Sequence, residues 1–213
     1  MWIAKLLPVQ VFSRQARKPS GFIGRYLMPR LFNVGNADLN AFVKECLDLQ
    51  PDDRVLEIGF GPGKLIHEMA ALTTGGVVEG IDFSKEMLKR ATKINQKQIA
   101  QGRVILHEGE CGALPFDDEA FIKLCSTNTI YFWENPEESA RELFRVTRAG
   151  GKLVIGFRDD EQMNGLGLSK EVFRIYSQQE VLDLLANAGF SEVHIREKEG
   201  MPFVSYCAEA TRA

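Results

Sequence analysis

The residues best suited to chemistry lie where glycines and acids alternate. In Val55-Leu-Glu-Ile-Gly-Phe-Gly-Pro-Gly-Lys-Leu65, Gly59, Gly61 and Gly63 occupy every second position, and Glu57 stands two residues before the first. Such glycines let a ligand approach the backbone closely. Two phosphate-binding patterns fail on spacing. A Walker A loop needs G-x-x-x-x-G-K-[ST], but Gly63-Lys64 is followed by Leu65, and the place of its first glycine holds Ile58. The dinucleotide fingerprint G-x-G-x-x-G would end on Lys64 or Ile66, depending on register. What remains is E-x-G-x-G-x-G, whose acid would repel a pyrophosphate and tolerate a cation.

Two more acids extend this pattern. Gly80-Ile-Asp-Phe-Ser84 puts Asp82 about 20 residues beyond the glycines, the spacing of a carboxylate that accepts from ribose hydroxyls. The competing reading is an acid favoured by a helix dipole. In Glu108-Gly-Glu-Cys-Gly-Ala-Leu-Pro-Phe116, Glu110 can accept from an exocyclic amine such as adenine N6.

These residues need elements to hold them. Apolar runs at Arg54–Gly59, Val77–Asp82, Val104–His107, Ile122–Ser126 and Lys152–Phe157 alternate with helical patterns at Asp38–Leu47, Lys64–Ala71, from Ser84, and Pro136–Thr147. That alternation implies right-handed βαβ crossovers and a parallel sheet covered on both faces. Ser177-Gln-Gln-Glu180 reads as a capping box for a helix to Ala188, stopped by Gly189. The closing strands, Ser191–Lys198 and Pro202–Glu209, are joined by too short a loop for a parallel crossover and must pair antiparallel.

The 26 basic and 29 acidic residues leave a net charge of −3, so nucleic acid is not an expected partner. The charge is uneven: residues 1–37 hold Lys5, Arg14, Arg17, Lys18, Arg25 and Arg30 and no acid. This basic arm reads as a helical appendage to one domain over 38–213, with Pro29 ending or kinking any helix in it. Its charge is a solvated face or a contact for an anionic or membrane surface. No run is long enough to span a membrane, and no secretory pattern opens the chain. Cys46, Cys111, Cys125 and Cys207 form no C-x-x-C pair and read as reduced thiols of a cytoplasmic protein. His67, His107 and His194 fall far apart in the topology, so no metal site is expected.

Residues 39–207 resemble the class I S-adenosylmethionine-dependent methyltransferases, particularly the small-molecule branch with its "ALPF" loop, here Ala113–Phe116. The resemblance implies a Rossmann-like α/β three-layer sandwich whose seven-stranded, mostly parallel sheet has its last strand antiparallel. It also implies S-adenosylmethionine as cofactor. Glu57 to Gly63 would pack on its methionine and ribose, Asp82 would bind the ribose hydroxyls, and Phe83 would stack on adenine. Glu110 would contact N6, the Cys111 backbone would face the ring, and Thr127, Asn128 and Thr129 would lie under the methionine. Arg148-Ala-Gly-Gly-Lys152 departs from the family's K-P-G-G.

Methyl transfer from a sulfonium is an in-line displacement, so the protein chiefly aligns the nucleophile and excludes water. No fixed triad is expected. Thr127-Asn-Thr-Ile-Tyr-Phe-Trp133 lacks the D/N-P-P-Y motif of exocyclic-amine nucleic-acid methyltransferases, and the chain has no Pro-Cys nucleophile for cytosine C5. Tyr131, Phe132 and Trp133 can line an apolar acceptor pocket or simply pack the core. Tyr26 is a candidate for closing over the cofactor, His107 near Glu110 for a base, and Arg158–Arg174 for a pocket wall. The expected reaction is methylation of a small, fairly apolar molecule. The alternatives are a non-catalytic cofactor-binding module on the same fold and a lipid-headgroup methyltransferase; an NAD-dependent oxidoreductase is disfavoured by the missing third glycine.

Overall fold

The computed structural model describes residues 7–200 and 203–213. The chain runs α1 (Val9–Arg17), α2 (Met28–Gly35), α3 (Ala37–Leu47), β1 (Arg54–Ile58), α4 (Lys64–Leu72), β2 (Val77–Asp82), α5 (Lys85–Ile94), α6 (Gln96–Ala100), β3 (Val104–Glu108) and β4 (Phe121–Thr127). It continues through α7 (Pro136–Val146), β5 (Thr147–Phe157), α8 (Asp160–Asn164), α9 (Gln178–Asn187), β6 (Ser191–Lys198) and β7 (Ser205–Thr211).

The seven strands form one sheet in the order β3-β2-β1-β4-β5-β7-β6. All neighbours are parallel up to β5; β7 pairs antiparallel with both β5 and β6. Side chains alternate between two cores, as the pleat requires. Val55, Val78, Cys125, Val154 and Cys207 meet α3, α4 and α5 on one face. Leu56, Ile81, Leu124, Leu153 and Ala208 meet α7 and α9 on the other. This is a three-layer α/β sandwich of the Rossmann-like kind. The chain leaves β1 toward β2 and β3, then returns to β4 and β5, so the switch point falls at the carboxyl ends of β1 and β4.

Several boundaries depart from the sequence reading. β5 begins at Thr147, five residues early, because Gly150 N–H donates to Arg212 O and Arg212 N–H to Gly151 O, which keeps the chain paired through the glycines. Pro29 does not end the arm's helix. The preceding residues Ile23–Leu27 widen into a π-helix, Met28 N–H donates to Ile23 O, and Pro29 sits in the first turn of α2, where its missing N–H costs little. The expected strand start at Pro202 and the first six residues of the arm lie outside the described residues. Pairing is seen from Ser205. All four cysteines are free and buried.

Candidate functional site

The three glycines share positive φ values but not a task. Gly59 N–H donates to Ile81 O at 2.7 Å, and a Cβ there would collide with Thr129. Gly63 is the N-cap of α4, where a Cβ would come within 2.6 Å of the Ala91 Cβ, so it lets α4 and α5 approach. Only Gly61, at φ +52°, has open space where its Cβ would be. Gly59 and Gly61 line a cavity of about 1460 Å³ at the switch point; Gly63 does not, which corrects its assignment as a cofactor contact.

Asp82 ends β2, and its buried carboxylate accepts from Gly61 N–H and Ser84 N–H, each at 2.8 Å. Burial pushes its pKa up to about 6 against the pull of those two donors. Each oxygen keeps a second lone pair for a ligand hydroxyl. Glu57, on β1, also belongs to the cavity wall. Its pKa rises to about 8, first through burial and then through repulsion by Asp82. Among the described residues its buried Oε2 has no hydrogen-bond partner, and neither does Thr127 Oγ1 at the end of β4. Orphaned buried acceptors need an explanation, and a donor-bearing, positively charged ligand supplies one. S-adenosylmethionine, with its ammonium and sulfonium, fits this wall.

Phe83, Glu110 and Cys111 complete the β2 and β3 side of the cavity. Lys18 Nζ lies 5.6 Å from the Phe83 ring centroid. Burial pushes the Cys111 thiol up to about 12, so it is inert as a nucleophile. Asn128 follows β4 in a left-handed conformation, φ +55°, with its N–H on Gly156 O. A strained non-glycine residue there is common where a side chain must be aimed. Its Nδ2 donates to Asn36 Oδ1 at 3.0 Å, tying the β4 loop to the start of α3.

The far end of the cavity is largely aromatic and aliphatic, with Arg158 in its wall. Tyr131, Phe132 and Trp133 stand in it, facing Met163, Leu166 and Phe173 from the segment after β5. The arm roofs both ends through Phe12, Ala16, Leu27 and Leu31. Arg25 pairs with Glu86 at 3.2 Å, and Ser169 N–H donates to Ser13 Oγ at 3.2 Å, pinning the roof to α5 and to the far wall.

Three catalytic candidates are displaced. His107 is not in the cavity wall: its Nε2 lies 2.9 Å from Glu79 Oε2 and its ring packs edge-on against Phe116, so it is a structural side chain of β3. Tyr26 is more than half exposed, outside the cavity, with its ring 5.0 Å from Phe22. Tyr131 lines the wall, but its hydroxyl donates to Arg158 O at 3.0 Å, accepts from Arg158 N–H at 2.5 Å and lies 3.2 Å from Asn128 Oδ1. Burial raises its pKa far above 10, so it braces the wall and is not a base. Sequence reasoning missed Arg17, Arg30 and Asn36 in the roof, because no local motif marks a residue whose partner is a distant loop.

The fold and this wall define a cofactor-binding enzyme of the Rossmann-like class, built to receive a nucleoside with a cationic tail. A methyltransferase-domain family matches residues 56–155. An uncharacterized methyltransferase, YdaC of Bacillus subtilis (strain 168), is 28% identical over 177 residues, 83% of this chain and 93% of that protein. The ubiquinone/menaquinone biosynthesis C-methyltransferase UbiE of Geotalea daltonii is 29% identical over 115 residues, 54% of this chain and about half (49%) of that one. A solved S-adenosylmethionine-dependent methyltransferase from Aquifex aeolicus shares the fold at a TM-score of 0.69 and 21% identity, over 86% of this chain and 96% of that chain. Residues 56–155 are thus a methyltransferase domain, and the chain shares the fold of S-adenosylmethionine-dependent methyltransferases.

Proposed function

We propose that the protein methylates a small, largely apolar molecule held at the aromatic end of the cavity, with the basic arm closing over it as a lid. The observation that carries this reading is one continuous cavity of about 1460 Å³ running from Gly61 and Asp82 to Phe132 and Phe173. A single small-molecule site occupies about 300–1,000 Å³, so this space suits a cofactor and an acceptor together. When bound, the cofactor supplies an electrophilic methyl group and a sulfide leaving group. Asp82 would hold the ribose hydroxyls, Glu57 and Thr127 the donor-bearing tail, and Phe83, Glu110 and Cys111 the adenine. The aromatic wall and the roof exclude water and align the acceptor, and such alignment supplies about 7–11 kcal/mol in well-oriented systems. The quinone methyltransferase relative and the apolar wall support an apolar acceptor. The four free cysteines suit a reducing cytoplasm, and no helix among the described residues is long and apolar enough to cross a membrane.

A second reading, a lipid-headgroup acceptor reached at a membrane surface, is favoured by Phe22 and Val34, which are 80% and 81% exposed on the same arm as Arg25 and Arg30. One experiment separates the readings. S-adenosylhomocysteine release is followed with a library of soluble aromatic and aliphatic acceptors, and again with phospholipid vesicles. Turnover on soluble apolar compounds is expected. Turnover on vesicles alone would move the acceptor to the membrane. None on either, with calorimetry still showing S-adenosylhomocysteine binding, would leave a cofactor-binding module.

A further inference from the structure

The acceptor end of the cavity holds a charge that the chain does not itself balance. Arg158 follows β5 directly and is only 8% exposed. Its Nη1 donates to Val204 O at 2.6 Å and to Ser205 Oγ at 3.2 Å, both neutral acceptors. The guanidinium carbon lies 5.1 Å from the Phe203 ring centroid. Among the described residues, no carboxylate comes within ion-pair distance of it. Asp38 acts on it only through space, while burial pulls its pKa down. The adjacent Asp159 is engaged by Gln162 N–H, Gln162 Nε2 and Gln178 Nε2. A buried guanidinium without a counter-ion is strongly unfavourable and ordinarily marks a missing anion.

The geometry says which part of the group is left for that anion. Both Nη1 hydrogens are used, and among the described residues Nε–H and Nη2–H have no partner, which leaves a two-pronged edge that matches two oxygens of one carboxylate or phosphate. The residue is also held at its root, since the Tyr131 hydroxyl bridges its own N–H and C=O. Arg158 shares the cavity wall with Tyr131, Met163 and Phe173. It stands beyond β4 from Asp82, because β4 and then β5 follow β1 in the sheet, which places it away from the ribose and adenine positions.

We infer that Arg158 is an anion-recognition residue for the methyl acceptor, which carries a carboxylate or phosphate on its apolar frame. The inference rests on the apolar-acceptor reading above.

The test titrates the S-adenosylhomocysteine complex of the wild type, Arg158→Gln and Arg158→Lys with matched pairs: benzoate against benzamide, naphthoate against naphthamide, and naphthyl phosphate against naphthol. Inorganic phosphate is added as a probe with no apolar frame. The wild type is expected to bind the preferred anion at least about tenfold more tightly than its neutral partner, the ratio a charged hydrogen-bond pair sustains. Arg158→Gln should lose that preference, Arg158→Lys should keep part of it, and all three should bind S-adenosylhomocysteine equally. Whether carboxylate or phosphate is preferred names the anion. Equal binding of anion and neutral partner in every pair, absence of binding included, overturns the inference, as does a preference that survives in Arg158→Gln. A fall in S-adenosylhomocysteine affinity in Arg158→Gln also overturns it, by assigning the guanidinium to the cofactor's own carboxylate. Binding of naphthol and naphthamide without anion preference would sink this inference and leave the apolar reading standing. Binding of inorganic phosphate alone, lost in Arg158→Gln, would overturn both, by leaving an anion site with no apolar acceptor. Should Arg158→Gln fail to fold, Arg158→Lys, which keeps the charge but not the fork, reads the same preference.

Discussion

Glu57→Gln should make the protein more stable and a poorer binder of its cofactor. Burial and the Asp82 charge raise the Glu57 pKa from its ordinary 4.5 to about 8. A carboxyl with a raised folded-state pKa holds its proton where the unfolded chain has released it. Stability therefore falls as pH rises from about 4.5 to about 8 and stays low above that. At pH 7 the interval is about 2.5 pH units at ~1.36 kcal/mol each, a burden of about 3 kcal/mol. Glutamine has nearly the same shape and no such titration. Its advantage should vanish near pH 4.5 and grow to about 3 kcal/mol at pH 7, or about 6–12 °C in Tm at ~2–4 °C per kcal/mol for a chain of this size. Thermal unfolding of both proteins from pH 5 to 8.5 reads this directly. A Tm difference that does not change with pH, or a variant less stable than the wild type at pH 8, would refute the reasoning.

The same carboxyl makes cofactor binding a proton-releasing event. At pH 7 Glu57 is mostly protonated, and a cation beside it favours the carboxylate, so S-adenosylmethionine should expel up to one proton per site and bind more tightly as pH rises to about 8; calorimetry in buffers of different ionisation enthalpy would show no release if this is wrong. Gly61→Ala should cost only about 1–2 kcal/mol, the price of a left-handed Cβ, yet block the cofactor, because its Cβ enters open space. Gly63→Ala should cost more stability, since its Cβ meets Ala91; denaturant unfolding that ranks the two in the opposite order counts against the division of labour among the glycines. Asp82→Ala should weaken S-adenosylhomocysteine binding by about 1–3 kcal/mol, and unchanged affinity would overturn the ribose assignment. Tyr131→Phe should destabilise by about 1–3 kcal/mol through the Arg158 N–H it strands; a loss of turnover far beyond the loss of folded protein would restore the phenol as a catalytic residue.

The part of the site legible in the sequence is the part carried by local backbone rules. E-x-G-x-G-x-G announced a close-approach turn, because only glycine tolerates three positive φ values so closely spaced, and the position of Asp82 followed from strand length and crossover geometry. The capping box was equally local: Ser177 N–H donates to Glu180 Oε2, and Glu180 N–H to Ser177 Oγ. What stayed hidden depends on partners far along the chain. Nothing near His107 says that Glu79, on the neighbouring strand, takes its Nε2. Nothing near Arg158 says that Val204 and Ser205 occupy one of its nitrogens, a fact that turns an ordinary arginine into an aimed fork. Gly63 shows the limit within a motif: the spacing marked three glycines alike, and only tertiary packing separates the two that line the cavity from the one that lets helices meet.

The order of the sheet also bears on how the molecule is made. β7 follows β6 in the chain but lies inside it, between β5 and β6. A chain emerging N-terminus first completes five parallel strands and then carries β5 with a bare edge, its apolar Val154 and Ile155 already in place, until Ser205–Thr211 arrives. An open edge of that kind is a template for pairing with another chain. β6 cannot cap it, because its neighbour is β7 and not β5. Synthesis therefore passes through an interval in which association with other nascent chains competes with the closing hairpin, and the segment that ends this interval, with Val204 just before it, also supplies the two acceptors that fix Arg158.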